Sequence, residues 1–130
     1  MIGTNDILSR FDLPHFGERL GRLTLALLSA FSACRLLYIA TLPDMDAADS
    51  PYICPQVYPA EEIDRAVADC NAQIRTLAQR QAAAGRPVRL ADIHGTLTKA
   101  DLQDGVHPNA AGFEKIGRCW FRKLLETPGI

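Results

Sequence analysis

Apolar residues recur along this chain with two different periods. Between residues 14 and 32, Phe16, Leu20, Leu23, Leu27 and Phe31 follow one another at steps of four, three, four and four, the repeat of a single helix face. Gly17 and Gly21 fall in the first turns and weaken the helical propensity there. Arg35 to Leu42 is a short, almost continuously apolar run that stops at Pro43, the pattern of a strand covered on both faces. Pro59 to Ala84 predicts the longest helix, with Ile63, Val67, Cys70, Ile74 and Leu77 on one stripe. Pro59 suits the first helical position, Glu61 and Glu62 suit the positive end of the helix dipole, and Gly85 and Pro87 close the element. Val88 to Ile93 predicts a second strand. Asn109 is a good N-cap for a last helix striped by Phe113, Ile116, Trp120 and Leu124, with Lys115, Arg118, Arg122 and Lys123 on its solvated face.

Helix, strand, helix, strand and helix in alternation predict an α/β fold with a parallel sheet between two helical layers. Met1 and Ile2 are expected to end a buried strand, and Gly3-Thr4-Asn5-Asp6 to form the turn that follows it. The Pro- and Asp-containing stretch 43–58 is long for a plain connection and is either the rim of a substrate entrance or a surface insertion. Two complete strands and three apolar helix faces do not balance. A two-stranded sheet is rarely stable alone, and its open edge invites pairing. A missing N-terminal segment, or self-association, is expected to cover it.

Length and composition narrow the function class. The 130 residues suffice for one domain. A net charge of -1 gives no reason to expect nucleic acid or an anionic membrane as a partner, and no apolar run reaches the ~20 residues of a membrane span. Cys34, Cys54, Cys70 and Cys119 are scattered without metal-binding spacing. Cys34, Cys70 and Cys119 fall on or beside apolar faces and are expected to be buried thiols, whereas Cys54, between Pro51 and Pro55, is free to pair if the protein is exported. No cofactor is implied, and localisation stays open.

The candidate chemistry lies in Asp104-Gly105-Val106-His107-Pro108, just ahead of the last helix. A carboxylate three positions before an imidazole can hold the ring by its Nδ1 proton, fix its tautomer and stabilise the imidazolium. Pro108 restricts His107 to extended or turn conformations, which marks a loop. Use of the same pair on a metal lacks a third ligand of suitable spacing. His15 reads as a surface or capping group, and the acids Glu61, Glu62 and Asp64 as a helix N-terminus. His94 ends a strand and is a secondary candidate for lining the site. Tyr52 and Tyr58 either shape a pocket or pack; Trp120, on a helix stripe, is expected in the core.

Gly3-Thr4-Asn5-Asp6 and Asp104-Gly105-Val106-His107-Pro108, in this order and with this α/β spacing between them, resemble two blocks of the SGNH hydrolases, also called the GDSL esterase/lipase family. The resemblance covers essentially the whole chain. It implies a flavodoxin-like three-layer α/β/α fold and hydrolysis of small acyl esters by a Ser-His-Asp triad. Asn5 would donate a side-chain N–H to the oxyanion hole, His107 would be the general base, and Asp104 would orient it. Gly3 would permit a tight backbone path and Asp6 would brace the loop. The family's Gly-Asp-Ser nucleophile block and its glycine block have no counterpart here: Ser9, Ser29, Ser32 and Ser50 do not follow Gly-Asp or sit in a glycine-flanked elbow. The resemblance therefore makes residues 1–130 the C-terminal part of one SGNH-type domain, with Met1 an internal or mis-assigned start and two strand–helix units upstream. Alone, the chain is then expected to lack esterase activity. Its short helices and lack of a lid-like apolar segment lean toward short acyl groups such as sugar acetates. The competing class is a non-catalytic binding or assembly module derived from such a hydrolase.

Overall fold

The structure is a computed structural model that describes residues 2–48, 50–53 and 57–127. It comprises α1 (Thr4–Leu8), a 3-10 turn (Leu13–His15), α2 (Phe16–Ala30), β1 (Leu37–Ala40), α3 (Ala60–Ala83), β2 (Val88–Ala91), a second 3-10 turn (Lys99–Asp101) and α4 (Ala110–Leu125). β1 and β2 pair in parallel, with Leu37 opposite Val88 and Ile39 opposite Leu90. The three expected long helices and both strands are present, so the architecture is an incomplete α/β layering.

Alternation along the strands separates the layers. Leu37, Ile39, Val88 and Leu90 join Ile63, Val67, Cys70 and Ile74 of α3 in the apolar core. Tyr38, on the opposite face, meets the edge of Trp120 of α4 at 5.8 Å between centroids and donates its hydroxyl to the Lys123 carbonyl. Trp120 is thus half-buried against Tyr38 and not enclosed in the core. α3 lies along the sheet because it is long and its apolar stripe is continuous, and five of the nine most deeply buried large side chains (Ile63, Val67, Cys70, Asn71, Ile74) come from it.

Three expectations are corrected. Ile2 lies in a turn and is 65% exposed, so it does not end a buried strand; Met1 lies outside the described residues. Gly3-Thr4-Asn5-Asp6 is not an open turn but the start of a helix. Gly3 takes a left-handed φ of 113° ahead of α1, and the Gly3 carbonyl accepts the Ile7 N–H. On α2 the buried line runs through Phe16, Gly21 and Thr24, with Leu20 and Leu28 beside the core, while Leu23 and Phe31 are exposed. The cause is the glycine pair. Gly17 donates its N–H to the Gln73 side chain of α3 at 2.7 Å, and Gly21 lets α2 close on Leu77 of α3. The closest approach therefore runs along the glycines, which leaves Leu23 and Phe31 of the expected stripe exposed.

α4 departs from expectation in the same sense. Phe113 and Leu124 of its stripe are exposed, as are Phe121 and Leu125. Only Cys119 is fully buried among its larger side chains, with Ile116 and Trp120 partly covered. Cys70 is buried as expected, and burial pushes its thiol up to about 11; Cys34 is half-buried. Cys54, with any disulfide it would form, lies outside the described residues. No described helix is long and apolar enough to cross a membrane.

Candidate active site

The Asp104–His107 segment is held as a closed loop. Thr98 and Asp101 form a reciprocal cap on the turn that precedes it. The Asp101 carboxylate also takes a hydrogen bond from Lys115 of α4 at 2.6 Å. That bond, with those from the Thr98 backbone and hydroxyl, draws the Asp101 pKa down to about 2. On the far side of the loop, Gln103 donates its N–H to the His107 carbonyl and Asn109 donates its N–H to the Asp101 carbonyl. Asn109 caps α4 as expected, accepting the Gly112 N–H at 3.0 Å.

Within this frame Asp104 and His107 meet. Asp104 Oδ1 accepts the backbone N–H of His107 at 2.7 Å and of Val106 at 3.1 Å. Asp104 Oδ2 lies 2.8 Å from His107 Nδ1. The His107 backbone N–H bond, foremost among several contacts, holds the Asp104 carboxyl below the usual carboxylate range. An ionised carboxylate only accepts, so the neutral imidazole carries its proton on Nδ1 and leaves the Nε2 lone pair free. Asp104 is mostly covered, at 19% side-chain exposure, while the His107 side chain is 56% exposed. A shielded acid behind an open imidazole is the arrangement a general base needs.

Gly105 makes the loop possible. Its φ of 74° is left-handed, and a Cβ there would fall on the carbonyl oxygen of Asp46 and press on Ser50. The Gly105 carbonyl accepts the Asp46 N–H at 2.7 Å. The segment after β1 is therefore clamped directly onto the Asp104–His107 loop.

The other block attaches to the same segment. A Cβ on Gly3 would press on Phe16 and on Leu42, two residues past the end of β1. Leu42 is in turn fixed by Asn71 of α3, which accepts its N–H at 2.7 Å and donates to its carbonyl at 2.9 Å, wholly buried. Both blocks thus pack on Leu42, Asp46 and Ser50, beyond the C-terminal end of β1. Asn5 lies on the exposed side of α1, and its carbonyl accepts the Ser9 hydroxyl at 2.6 Å. Asn5 forms no hydrogen bond with Asp104 or His107 among the described residues. Asp6 pairs with Arg19 of α2 at 2.6 Å, which ties α1 to α2.

Other candidates fall elsewhere. Thr41 accepts the N–H groups of Ile93 and His94 and donates to Asp92. His94 itself lies three residues past β2, its Nε2 3.0 Å from Asp44. His15 pairs with Asp12 in the first 3-10 turn, and Glu62 pairs with Arg10, whose guanidinium covers the buried Tyr58 ring. Sequence reasoning missed Asn71 and Thr41. A polar side chain at a buried helix position, and one immediately after a strand, were the available signals. No group of acids, histidines and cysteines suited to a metal occurs among the described residues.

Residues 1–115 match the family model described as the GDSL-like Lipase/Acylhydrolase family. Over 124 residues the chain is 32% identical to a protein of Ruminococcus flavefaciens described as a multidomain esterase. That alignment covers 95% of this chain and 15% of the relative, so the chain spans a small part of the length of the curated relative it matches. No solved structure matches it.

Proposed function

The chain belongs to the GDSL-like lipase/acylhydrolase family, and from that premise we propose that it carries the base and oxyanion half of a serine esterase site. His107 acts as the general base, Asp104 orients it, and Asn5 supplies an amide donor to the carbonyl oxygen under attack. The observation that carries this reading is the 2.8 Å contact between Asp104 Oδ2 and His107 Nδ1, made by an imidazole whose side chain is half-exposed.

The chemistry follows. Nε2 takes the proton of a serine hydroxyl as its oxygen attacks the ester carbonyl, and then delivers it to the departing alkoxide. Negative charge grows on the carbonyl oxygen, where a fixed neutral donor such as the Asn5 amide is worth ~3–4 kcal/mol. Gly3 and the Asp6–Arg19 pair hold Asn5 in place.

The attacking hydroxyl comes from outside residues 1–130, which form the C-terminal part of the domain. The chain's own serines support this. Ser9 is bonded to the Asn5 carbonyl, Ser50 is buried beside Gly105, and Ser29 lies on α2. Short acyl esters, sugar acetates among them, are the proposed substrates.

The test is hydrolysis of p-nitrophenyl acetate by the protein with its serine-bearing segment in place. His107→Ala should lower kcat by ~10⁴-fold or more, and Asp104→Asn by ~10²–10⁴-fold. Residues 1–130 alone should show no turnover that depends on His107. Full activity in His107→Ala would overturn the reading and favour a binding module.

A further inference from the structure

The Asp104 carboxylate restrains the His107 ring at one nitrogen only. A histidine's outer torsion is broad, and a half-exposed ring has few neighbours to narrow it. A neighbouring aromatic ring supplies a second restraint. The Tyr52 ring stands 5.5 Å from the imidazole, centroid to centroid, at an interplanar angle of 80°. Tyr52 is itself 60% exposed, so burial of its own surface does not account for its place.

Its seat is built by the segment that Gly105 admits. Asp46 donates its N–H to the Gly105 carbonyl, and Lys99 holds the Asp46 carboxylate at 3.0 Å. Ser50 packs on Gly105 where any side chain would collide. The Ser50 hydroxyl accepts the Tyr52 N–H at 3.2 Å, and Ile53 beyond it is buried. The chain just before and just after Tyr52 is therefore fixed on the loop that carries His107, and the tyrosine ring is delivered to the imidazole.

We propose that Tyr52 is a positioning residue for His107, a side wall that with Asp104 keeps Nε2 aimed at the reacting hydroxyl. This rests on the esterase reading of the site. The hydroxyl of Tyr52 is not required, because the contact is ring against ring. A Phe should therefore replace it and an Ala should not.

Two measurements on Tyr52→Ala and Tyr52→Phe test it. In NMR spectra, the His107 ring protons should lose their ring-current shift in Tyr52→Ala and keep it in Tyr52→Phe, with other resonances unmoved. This readout needs no turnover. In p-nitrophenyl acetate hydrolysis, Tyr52→Ala should lower kcat ~10-fold with KM within about twofold, and Tyr52→Phe should stay near wild type. Unchanged kcat in Tyr52→Ala, a rise in KM alone, or equal loss in Tyr52→Phe would each overturn the proposal. If His107→Ala also kept its activity, the esterase reading itself would fall; if only Tyr52→Ala kept it, the loss is confined to Tyr52.

Discussion

Gly105 is the single residue on which the local geometry turns. It combines a left-handed backbone with direct contact to the Asp46 carbonyl, so a methyl group meets two penalties at once. Left-handed φ alone costs roughly 1–2 kcal/mol for a residue with a Cβ. Gly105→Ala should therefore lower the unfolding free energy by at least about 1 kcal/mol in urea titration and also reduce esterase kcat, since the His107 loop must shift. Asp101 sets an acid limit on the same loop. Its folded pKa of about 2 lies below the ~3.9 of an unfolded aspartate, so its contribution is present above pH ~4 and is lost as pH falls toward 2. Thermal midpoints measured from pH 5 to 2 should fall more steeply for wild type than for Asp101→Asn. The Asp104–His107 pair was legible in the sequence because both partners lie in one short segment. The glycine clamp was not, because Asp46 and Ser50 come from a loop more than fifty residues away.

At the level of elements, periodicity located the three long helices and both strands to within a few residues, most cleanly α3, whose whole stripe is buried or partly buried against the core. It did not locate the uncovered faces. α2 left Leu23 and Phe31 exposed because Gly17 and Gly21 bring the helix closest to α3. α1 was missed for lack of length: five residues carry too little periodicity to set against a Gly-Thr-Asn-Asp turn signal. Asn71 is the link between elements that pattern could not show, since its partner is the backbone of Leu42. Asn71→Ala strands one buried N–H and one buried C=O, each worth about 1–3 kcal/mol when unsatisfied. Loss of about 2–4 kcal/mol is expected in urea unfolding, with weakened protection of the Leu42 amide in hydrogen exchange. Unaltered exchange at Leu42 would show that water replaces the side chain without cost.

Across the whole molecule, the segment that leaves β1 packs against both Gly3 and Gly105. Leu42 receives Gly3 on one side, and Asp46 and Ser50 receive Gly105 on the other. Blocks separated by about a hundred residues in sequence thus share one support at the end of the sheet. Exposed Leu23, Phe31, Phe113, Phe121 and Leu125 show that the two-stranded sheet does not cover its helices, in keeping with the imbalance of strands and helix faces in the sequence. Family membership was legible from two short motifs and their order. The most direct measurement is the kcat and KM of Asn5→Ala for p-nitrophenyl acetate, in the protein that also carries the nucleophilic serine. A fall in kcat of ~10²–10³-fold with KM little changed is expected of a donor that acts only as charge develops on the carbonyl oxygen. A kcat equal to wild type would contradict the placing of Asn5 and His107 around one ester.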